Sequence, residues 1–338
     1  MPRTFRLPLA TVVATICPHL FDVIPRPQAQ KGFHLTRVFA FLNEKQLPQI
    51  GVEWSAMPNA RSARYNFTRA WEIFKQLKLN NKAPDLHFLQ VMVELDLFHA
   101  ESFDEVFTTL KEVRPLQDLL LTQEVKLQLP IARPQKILCI GRNYRGHAEE
   151  LKNPLPKEPI FFGKSPSTLL AHEEPVRLPT GFGRIDHEAE LAIIMGKTGE
   201  NIPAKDALDY VAGYTILNDV TARELQKKDT STGLPWFRAK NFDTFCPLGP
   251  YLIPRGCVAD PQKLEVTLTL NGAVRQKGST ADMAFPVTEL ISYLSRFCTL
   301  QPGDIIATGT PEGVGPLQPG DHMVTSISDF GELHNPIV

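Results

Sequence analysis

The feature that most constrains the fold is a change in sequence character near residue 130. Beyond it, short apolar runs alternate with glycine and proline, a pattern typical of β-strands joined by turns. These runs cover residues 136–140, 189–195, 212–217 and 264–270. Pro130 and Pro134 disfavour regular structure between the two parts. The sequence therefore predicts a domain boundary there and a mainly β domain over residues 131–338.

Residues 33–130 are expected to form a smaller α+β domain with a helical insert. Aromatic and apolar side chains recur at helical spacing from Phe67 to Leu77, and such stripes are typical of a core. Ser102 and Glu105 form a capping box, in which the two side chains satisfy free amides at the start of a helix.

Residues 1–32 are expected to be an N-terminal arm, with a weak targeting segment as the alternative. Arg3 and Arg6 precede the first acidic residue, as in a transit peptide. Pro8 and Pro18 would break the amphipathic helix that such a peptide forms. The apolar stretch within the arm is shorter than the roughly 20 residues of a transmembrane helix, so none is predicted.

The overall composition favours a globular protein with a small-molecule partner. Lys and Arg number 36 against 37 Asp and Glu, so there is no positive excess to bind nucleic acid. The 5 cysteines are scattered without a C-x-x-C pair, which suggests neither a disulfide framework nor a zinc site. A reducing, cytoplasmic location is the default expectation, and a mitochondrial one is the alternative.

Two kinds of turn are predicted in the β domain. The run at residues 264–270 alternates apolar and polar residues, and Asn271-Gly272 follows it as a two-residue hairpin turn. The sequence L-Q-P-G-D occurs at residues 300–304 and again at 317–321, each time ahead of an apolar run. We interpret both copies as turns that lead into strands.

Glu188 and Glu190 are candidate metal ligands in the segment I-D-H-E-A-E-L-A-I-I-M-G at residues 185–196. Residues two apart in a strand point to the same face, and the other face here is wholly apolar. Like charges this close raise each other's pKa unless a cation compensates. The pattern therefore indicates a divalent ion, although a solvated strand face is the commoner meaning of E-x-E.

Asp219 is the third candidate ligand. It follows the apolar run at residues 212–217, where a second strand would end beside the first. Carboxylates suit a hard, oxygen-preferring ion, so magnesium is expected, with manganese or calcium as alternatives.

Basic side chains near these carboxylates indicate an anionic substrate. Arg223 and Gln226 would lie along one helix face, and a guanidinium binds a carboxylate with two parallel hydrogen bonds. Lys240, among aromatic residues, would stabilise a developing enolate, and Lys164 is a further basic group. The alternatives are an exposed helix arginine and, for Lys240, a head group that reaches water.

His147 and Glu150 would share one side of a short helix. A carboxylate beside a histidine can tune it as a base that activates water, and a surface pair is the alternative. The glycine loop G-T-P-E-G-V-G at residues 309–315 could present backbone amides to an anion.

With these motifs in place, residues from about 136 to 338 resemble the fumarylacetoacetate hydrolase family. The resemblance rests on G-R-N-Y at 141–144, H-E-A-E-L at 187–191, N-D-V-T-A-R at 218–223, A-K at 239–240, G-D-I-I-A-T-G-T-P-E-G-V-G at 303–315 and the closing G-E-L-H-N-P-I-V. It implies an α+β, mainly β fold, built as a mixed β-sandwich or roll. It also implies a homodimer.

The same resemblance implies a role for each matching side chain. The metal would be held by Glu188, Glu190 and Asp219. The catalytic side chains would be Lys240 and, on a lid, His147 with Glu150. The candidate substrate-binding residues, which the resemblance does not assign as a set, are Arg142, Tyr144, Lys164, Arg223, Gln226 and Thr310.

The order G-R-N-Y then H-x-x-E is similar to the branch of acylpyruvate hydrolases and 2-oxo acid decarboxylases or isomerases. The leading hypothesis is a magnesium-dependent hydrolase that cleaves a C–C bond in an acylpyruvate such as fumarylpyruvate. Enolate formation without water attack would instead give oxaloacetate decarboxylation or isomerisation of a hydroxymuconate-type diacid. A non-catalytic protein that binds a keto acid is the alternative from another class. In each case the expected partner is a small 2-oxo acid, and no nucleic acid or membrane is expected.

Overall fold

The computed structural model describes residues 25–26, 88–96, 98–99, 124–125, 127–150, 154–328 and 330–338. The strands are β1 (Pro25–Arg26), β2 (Glu124–Val125), β3 (Ile137–Gly141), β4 (Ile160–Lys164), β5 (Leu169–Leu170), β6 (Ile185–His187), β7 (Ala189–Met195), β8 (Val211–Asn218), β9 (Thr221–Ala222), β10 (Cys246–Pro254), β11 (Glu265–Leu270), β12 (Ala273–Ser279), β13 (Ile305–Ala307), β14 (Gly315–Pro316), β15 (His322–Ile327) and β16 (Glu332–Pro336). The α-helices are α1 (Phe88–Glu94), α2 (Arg145–Glu150), α3 (Arg223–Ser231), α4 (Phe237–Lys240) and α5 (Val287–Leu294).

The largest sheet has the strand order β4-β3-β13-β7-β8-β10-β5, with β4 and β5 at opposite edges. Lys164 ends β4, however, and Leu169 already begins β5. A flat sheet of this width would separate its edges by about 29 Å, whereas five residue steps reach at most about 18 Å. The sheet must therefore curl, so that its concave side forms a half-barrel.

The central strands of this sheet, β7 and β8, are buried along their whole length. A second sheet, in the order β12-β11-β15-β16, packs on them through β11 and β15. The side chains of both sheets contribute to one hydrophobic core. The described part of the chain is mainly β with a few helices, so the predicted fold class is confirmed. Both faces of β7 are buried, so neither is the solvated strand face that was the alternative for the E-x-E pair.

The turns that the sequence predicted are present. β11 and β12 form an antiparallel hairpin in which Asn271 has φ 54° and Gly272 has φ 79°. Both residues are thus in the left-handed region that a tight two-residue hairpin turn requires. Asp304 and Asp321, at the ends of the two L-Q-P-G-D copies, each accept a hydrogen bond from the amide three residues earlier, at 2.7 and 2.8 Å. β13 and β15 follow these turns directly.

Helix α1 packs against the segment that leads into the β domain. The buried Gln90 side chain donates to the Arg133 carbonyl at 2.9 Å and accepts from the Ala132 and Arg133 amides. Residues 127–136 contain no helix or strand. The domain boundary itself stays a prediction, and the helices predicted from Phe67 and from Ser102 lie outside the described residues. No helix in the described part of the chain is long and apolar enough to cross a membrane.

Candidate active site

Three carboxylates converge where β7 begins and β8 ends. The two strands are antiparallel, and Ala189 lies opposite Asn218. Just outside this pair, the Asp219 amide donates a hydrogen bond of 2.8 Å to the Glu188 carbonyl. One oxygen from each of Glu188, Glu190 and Asp219 lies within 4.8 Å of the others, and all three residues are buried. The strand register therefore brings the three candidate ligands together.

Glu190 is the least compensated of the three. Its Oε2 accepts a hydrogen bond of 2.7 Å from the Gly309 amide, and it forms no ion pair with a described residue. Burial raises the pKa of Glu190 well above its usual range, and the charges of Asp219 and Glu188 raise it further. A cation beside these oxygens would offset that cost. The donor set, oxygen throughout, fits a hard divalent ion.

Two buried lysines contact the other two carboxylates. Lys240 Nζ donates to Glu188 Oε2 at 2.8 Å and to Asp219 Oδ2 at 2.5 Å. Lys164 Nζ donates to Asp219 Oδ1 at 2.7 Å and to the Lys240 carbonyl at 2.5 Å. Burial lowers the pKa of Lys240, but Asp219 and Glu188 raise it above its usual range, so the ammonium is charged. The head group does not reach water, since the Lys240 side chain is 3% exposed.

Arg223, the first residue of α3, is buried rather than an exposed helix arginine. Its Nε donates to Asp186 Oδ2 at 2.8 Å, and a second nitrogen donates to Glu188. Its Nη1 donates to Gln226 Oε1 at 2.6 Å, so these two side chains are neighbours on one helix face. The guanidinium is thus turned largely toward the protein's own carboxylates. Its contact with a substrate carboxylate stays a prediction.

His147 and Glu150 lie on α2, beside the glycine loop at residues 309–315. His147 is buried, and its Nδ1 lies 3.5 Å from Glu150 Oε2, too long for a strong hydrogen bond. Burial lowers the pKa of His147, so the imidazole is neutral at pH 7 and can accept a proton. Glu150 accepts a hydrogen bond of 3.2 Å from the Gly313 amide. The amides of the glycine loop therefore meet two carboxylates of the protein, Glu190 and Glu150.

A cavity of about 340 Å³ opens over the carboxylate cluster, a size that suits a small ligand. The candidate site residues that line it are Arg142, His147, Glu188, Glu190, Arg223, Gln226, Lys240 and Thr310. Phe162, Lys227 and Trp236 contribute to its wall. A Cβ on Gly141 would lie 2.6 Å from the Trp236 ring, so glycine is needed there for the indole to close the wall. Arg142 stacks on that indole, with Cζ 5.7 Å from the ring centroid.

The structure does not bring every candidate substrate-binding residue to the cavity. Tyr144 is fully buried in the hydrophobic core, and its backbone forms a β-bridge to Met283. Its hydroxyl has no hydrogen-bond partner among the described residues. Lys164 also lies behind the cavity wall, where it contacts Asp219 instead of the cavity.

Three buried polar residues that the sequence reasoning missed hold the cluster in place. Asp186 binds the arginine that contacts Glu188. The Asn218 side chain accepts from the Glu188 amide at 3.0 Å, and the Gln276 side chain accepts from the Ala189 amide at 3.1 Å. Each is a polar residue at a buried strand position, and this was the one feature that could have marked it as part of the site. Their partners, however, are distant in sequence and follow only from the fold.

A mainly β domain whose cavity lies over a buried carboxylate cluster is a candidate metal-binding enzyme domain. Residues 136–338 match the family described as fumarylacetoacetate (FAA) hydrolase, C-terminal. The chain belongs to the fumarylacetoacetate hydrolase family, as its motifs indicated.

Relatives with named activities are enzymes of several kinds. The chain is 42% identical to a mitochondrial oxaloacetate tautomerase of Xenopus laevis over 229 residues. This aligned region covers 66% of this chain and 71% of the relative. It is similar to the crystal structure of fumarylpyruvate hydrolase from Pseudomonas aeruginosa in complex with Mn²⁺ and pyruvate, at 35% identity and a TM-score of 0.59, over 64% of this chain and 91% of that chain. A 2-hydroxyhepta-2,4-diene-1,7-dioate isomerase from Mycobacterium marinum is similar at 39% identity and a TM-score of 0.57, over 67% and 80% of the two chains.

Proposed function

We propose that this protein is a divalent-metal-dependent enzyme acting on 2-oxo acids, and that it hydrolyses a C–C bond in an acylpyruvate. The observation that carries the proposal is the meeting of three kinds of group at one cavity. These are an all-oxygen carboxylate cluster, the charged Lys240 and the neutral His147. Enolate chemistry uses an electrophile for the oxo group, a positive charge for the enolate and a base.

Glu188, Glu190 and Asp219 would hold the ion, which we propose is magnesium, with manganese or calcium as alternatives. When bound, a divalent cation supplies Lewis-acid polarisation of the 2-oxo oxygen. The Mn²⁺ and pyruvate present in the Pseudomonas aeruginosa structure support this choice of ion class and substrate class.

The cavity wall would orient an anionic substrate over the cluster. Arg142 and Lys227 place positive charge on the wall, and Gln226 and Thr310 place polar groups there. An acylpyruvate is a small anion with further carbonyl oxygens, so both kinds of group have a partner on it. Apolar surface from Trp236 and the neighbouring ring Phe162 would exclude water from the rest of the substrate.

His147 would act as the general base. It takes a proton from water as the water oxygen bonds to the distal carbonyl carbon of the substrate. The C–C bond then breaks, and its electron pair passes to the pyruvate fragment as an enolate, whose charge Lys240 stabilises. The proton held by His147 returns to the methylene carbon of that enolate. Glu150, held by the Gly313 amide, stabilises the imidazolium that forms between these steps.

A second candidate is tautomerisation of oxaloacetate, in which a proton moves between carbon 3 and the 2-oxo oxygen without water attack. The 42% identity to oxaloacetate tautomerase over 66% of the chain favours it. The same residues serve this reaction, since His147 can carry the proton and Lys240 can stabilise the enolate.

A substrate panel separates these candidates. Fumarylpyruvate, oxaloacetate and a hydroxymuconate-type diacid are incubated with the protein and Mg²⁺, while enol absorbance is followed and products are identified by mass. Hydrolysis yields two acids, tautomerisation changes the enol absorbance without changing the mass, and decarboxylation releases CO₂. We expect two acids from the acylpyruvate. If pyruvate instead raises the melting temperature but no member of the panel is converted, the protein is a keto-acid-binding protein and the enzyme proposal fails.

A further inference from the structure

Gln276 is a buried amide that joins two parts of the site. It is the only buried residue of β12. Its Oε1 accepts hydrogen bonds from the Ala189 amide at 3.1 Å and from His187 Nδ1 at 2.9 Å. Its Nε2 donates to Thr310 Oγ1 at 2.7 Å and to the Pro311 carbonyl at 2.9 Å. These four bonds use the whole hydrogen-bonding capacity of a primary amide.

The neighbours fix which way this amide points. The backbone N–H of Ala189 can only donate, and the carbonyl of Pro311 can only accept. Rotating the amide by 180° would set N–H against N–H and oxygen against oxygen, both in a buried place. The Nε2 side of Gln276 therefore faces the loop that carries Thr310, and its oxygen faces β7.

This orientation determines the role of the Thr310 hydroxyl. A hydroxyl has one hydrogen to donate, and here its oxygen already accepts from Gln276. No acceptor for the hydrogen is found among the described residues, while Thr310 lines the cavity beside Glu190. The Thr310 hydroxyl hydrogen is thus available to a ligand in the cavity.

We propose that Gln276 is a positioning residue that holds the Thr310 hydroxyl as a hydrogen-bond donor to a carboxylate or carbonyl oxygen of the substrate. The inference rests on the proposed function, because it assigns Thr310 to the recognition of a 2-oxo acid. It accounts for a buried amide on a strand whose other side chains are more exposed. It also implies that Gln276 and Thr310 act as one unit.

The test is a double-mutant cycle with Thr310→Val, Gln276→Met and the double variant. The measured quantities are KM for the 2-oxo acid that the wild type turns over and the inhibition constant of pyruvate, both at saturating Mg²⁺. Each single variant should raise both constants about tenfold, the effect of losing one hydrogen bond to a charged ligand. The double variant should add no more than about a further twofold, because residues that act as a unit are not additive. A multiplied, roughly hundredfold effect would overturn the proposal.

Gln90→Met is the matched control, because Gln90 is also a buried amide with hydrogen bonds to the backbone but lies outside the cavity. It should lower the melting temperature as Gln276→Met does while leaving KM within about twofold of the wild type. If the two glutamine variants change KM and the pyruvate constant equally, Gln276 has a structural role alone and the proposal fails.

Thr310→Ser keeps the test decisive if Gln276→Met does not fold. The serine keeps a hydroxyl that can accept from Gln276 Nε2, so this variant should bind pyruvate about tenfold more tightly than Thr310→Val. Equal binding by the Ser and Val variants would overturn the proposal without any change at Gln276.

The failure of this inference is distinct from that of the proposed function. A wild type that converts no 2-oxo acid and does not bind pyruvate would overturn both. An active wild type with independent effects of Gln276 and Thr310 would overturn the inference and leave the proposed function standing.

Discussion

Glu190 shows how a single side chain sets the electrostatics of the site. Lysines and an arginine contact Glu188 and Asp219, whereas Glu190 has a hydrogen bond from the Gly309 amide. A buried carboxylate without a cationic partner destabilises the fold unless it is protonated or bound to a cation. Glu190 therefore lowers the stability of the metal-free protein, and it is the carboxylate whose charge a bound metal ion would compensate most.

Glu190→Gln tests this balance. The amide keeps the shape of the side chain and an acceptor for the Gly309 amide but removes the charge. In excess chelator we expect its melting temperature to equal or exceed that of the wild type. In millimolar Mg²⁺ the order should reverse, because the wild type gains binding free energy that the variant loses. Thermal scans with and without the ion check this, and a variant that Mg²⁺ stabilises as strongly as the wild type would contradict it.

His147 sets the expected pH dependence. Burial lowers its pKa from the ordinary 6.5, and the neutral ring is the active base. Activity should therefore be constant near neutral pH and fall as the pH drops through the lowered pKa, with a midpoint below 6.5. His147→Gln should lose about 10² to 10⁴ in kcat and show no such limb. A wild-type acid limb centred above 6.5, or one that persists in the variant, would argue against His147 as the base.

At the scale of elements, the glycine loop at residues 309–315 joins helix α2 to the carboxylate cluster. Its amides hold Glu190 at one end and Glu150 at the other. Gly313 has φ 91°, and a Cβ there would lie 2.1 Å from the Arg275 carbonyl oxygen. Only glycine keeps the loop close enough to β12 for its amide to reach Glu150.

Gly313→Ala should therefore displace the loop, lowering both stability and kcat. Gly320→Ala is the matched control, because Gly320 has a similar φ of 93° but nothing within 4 Å of an added Cβ. The control should lose about 1 kcal/mol of unfolding free energy through its backbone conformation and keep wild-type kcat. Denaturant unfolding and steady-state kinetics measure the two effects. Equal losses in both variants would mean that the contact with Arg275 is unimportant.

At the scale of the whole molecule, local patterns predicted the elements better than their contacts. The strand β7, the hairpin at Asn271-Gly272 and the L-Q-P-G-D turns follow from alternation and turn chemistry within a few residues. The meeting of Glu188, Glu190 and Asp219 was predictable because each lies at or near the end of a strong apolar run. The burial of β7 on both faces could not be predicted, since it depends on a second sheet whose residues lie seventy or more positions further along the chain.

The contacts of single polar side chains were the least predictable part of the site. The ion pairs of Arg223 with Asp186 and Glu188 were not foreseen, because those carboxylates are presented on the neighbouring strand segment. Gln276 is a polar residue at a buried strand position, but its role could not be predicted, since its partners come from β7 and the glycine loop. The family resemblance supplied roles for the residues but not these supporting bonds.

The most direct test of the central claim is the rate of 2-oxo acid turnover as a function of Mg²⁺ concentration after removal of metal by chelation. The wild type should be inactive without the ion and regain full activity as Mg²⁺ or Mn²⁺ is added. Glu188→Gln should stay inactive at every Mg²⁺ concentration while its circular dichroism spectrum remains that of the folded wild type. Turnover by the chelated wild type, or by Glu188→Gln at fixed Mg²⁺, would contradict a metal held by Glu188, Glu190 and Asp219.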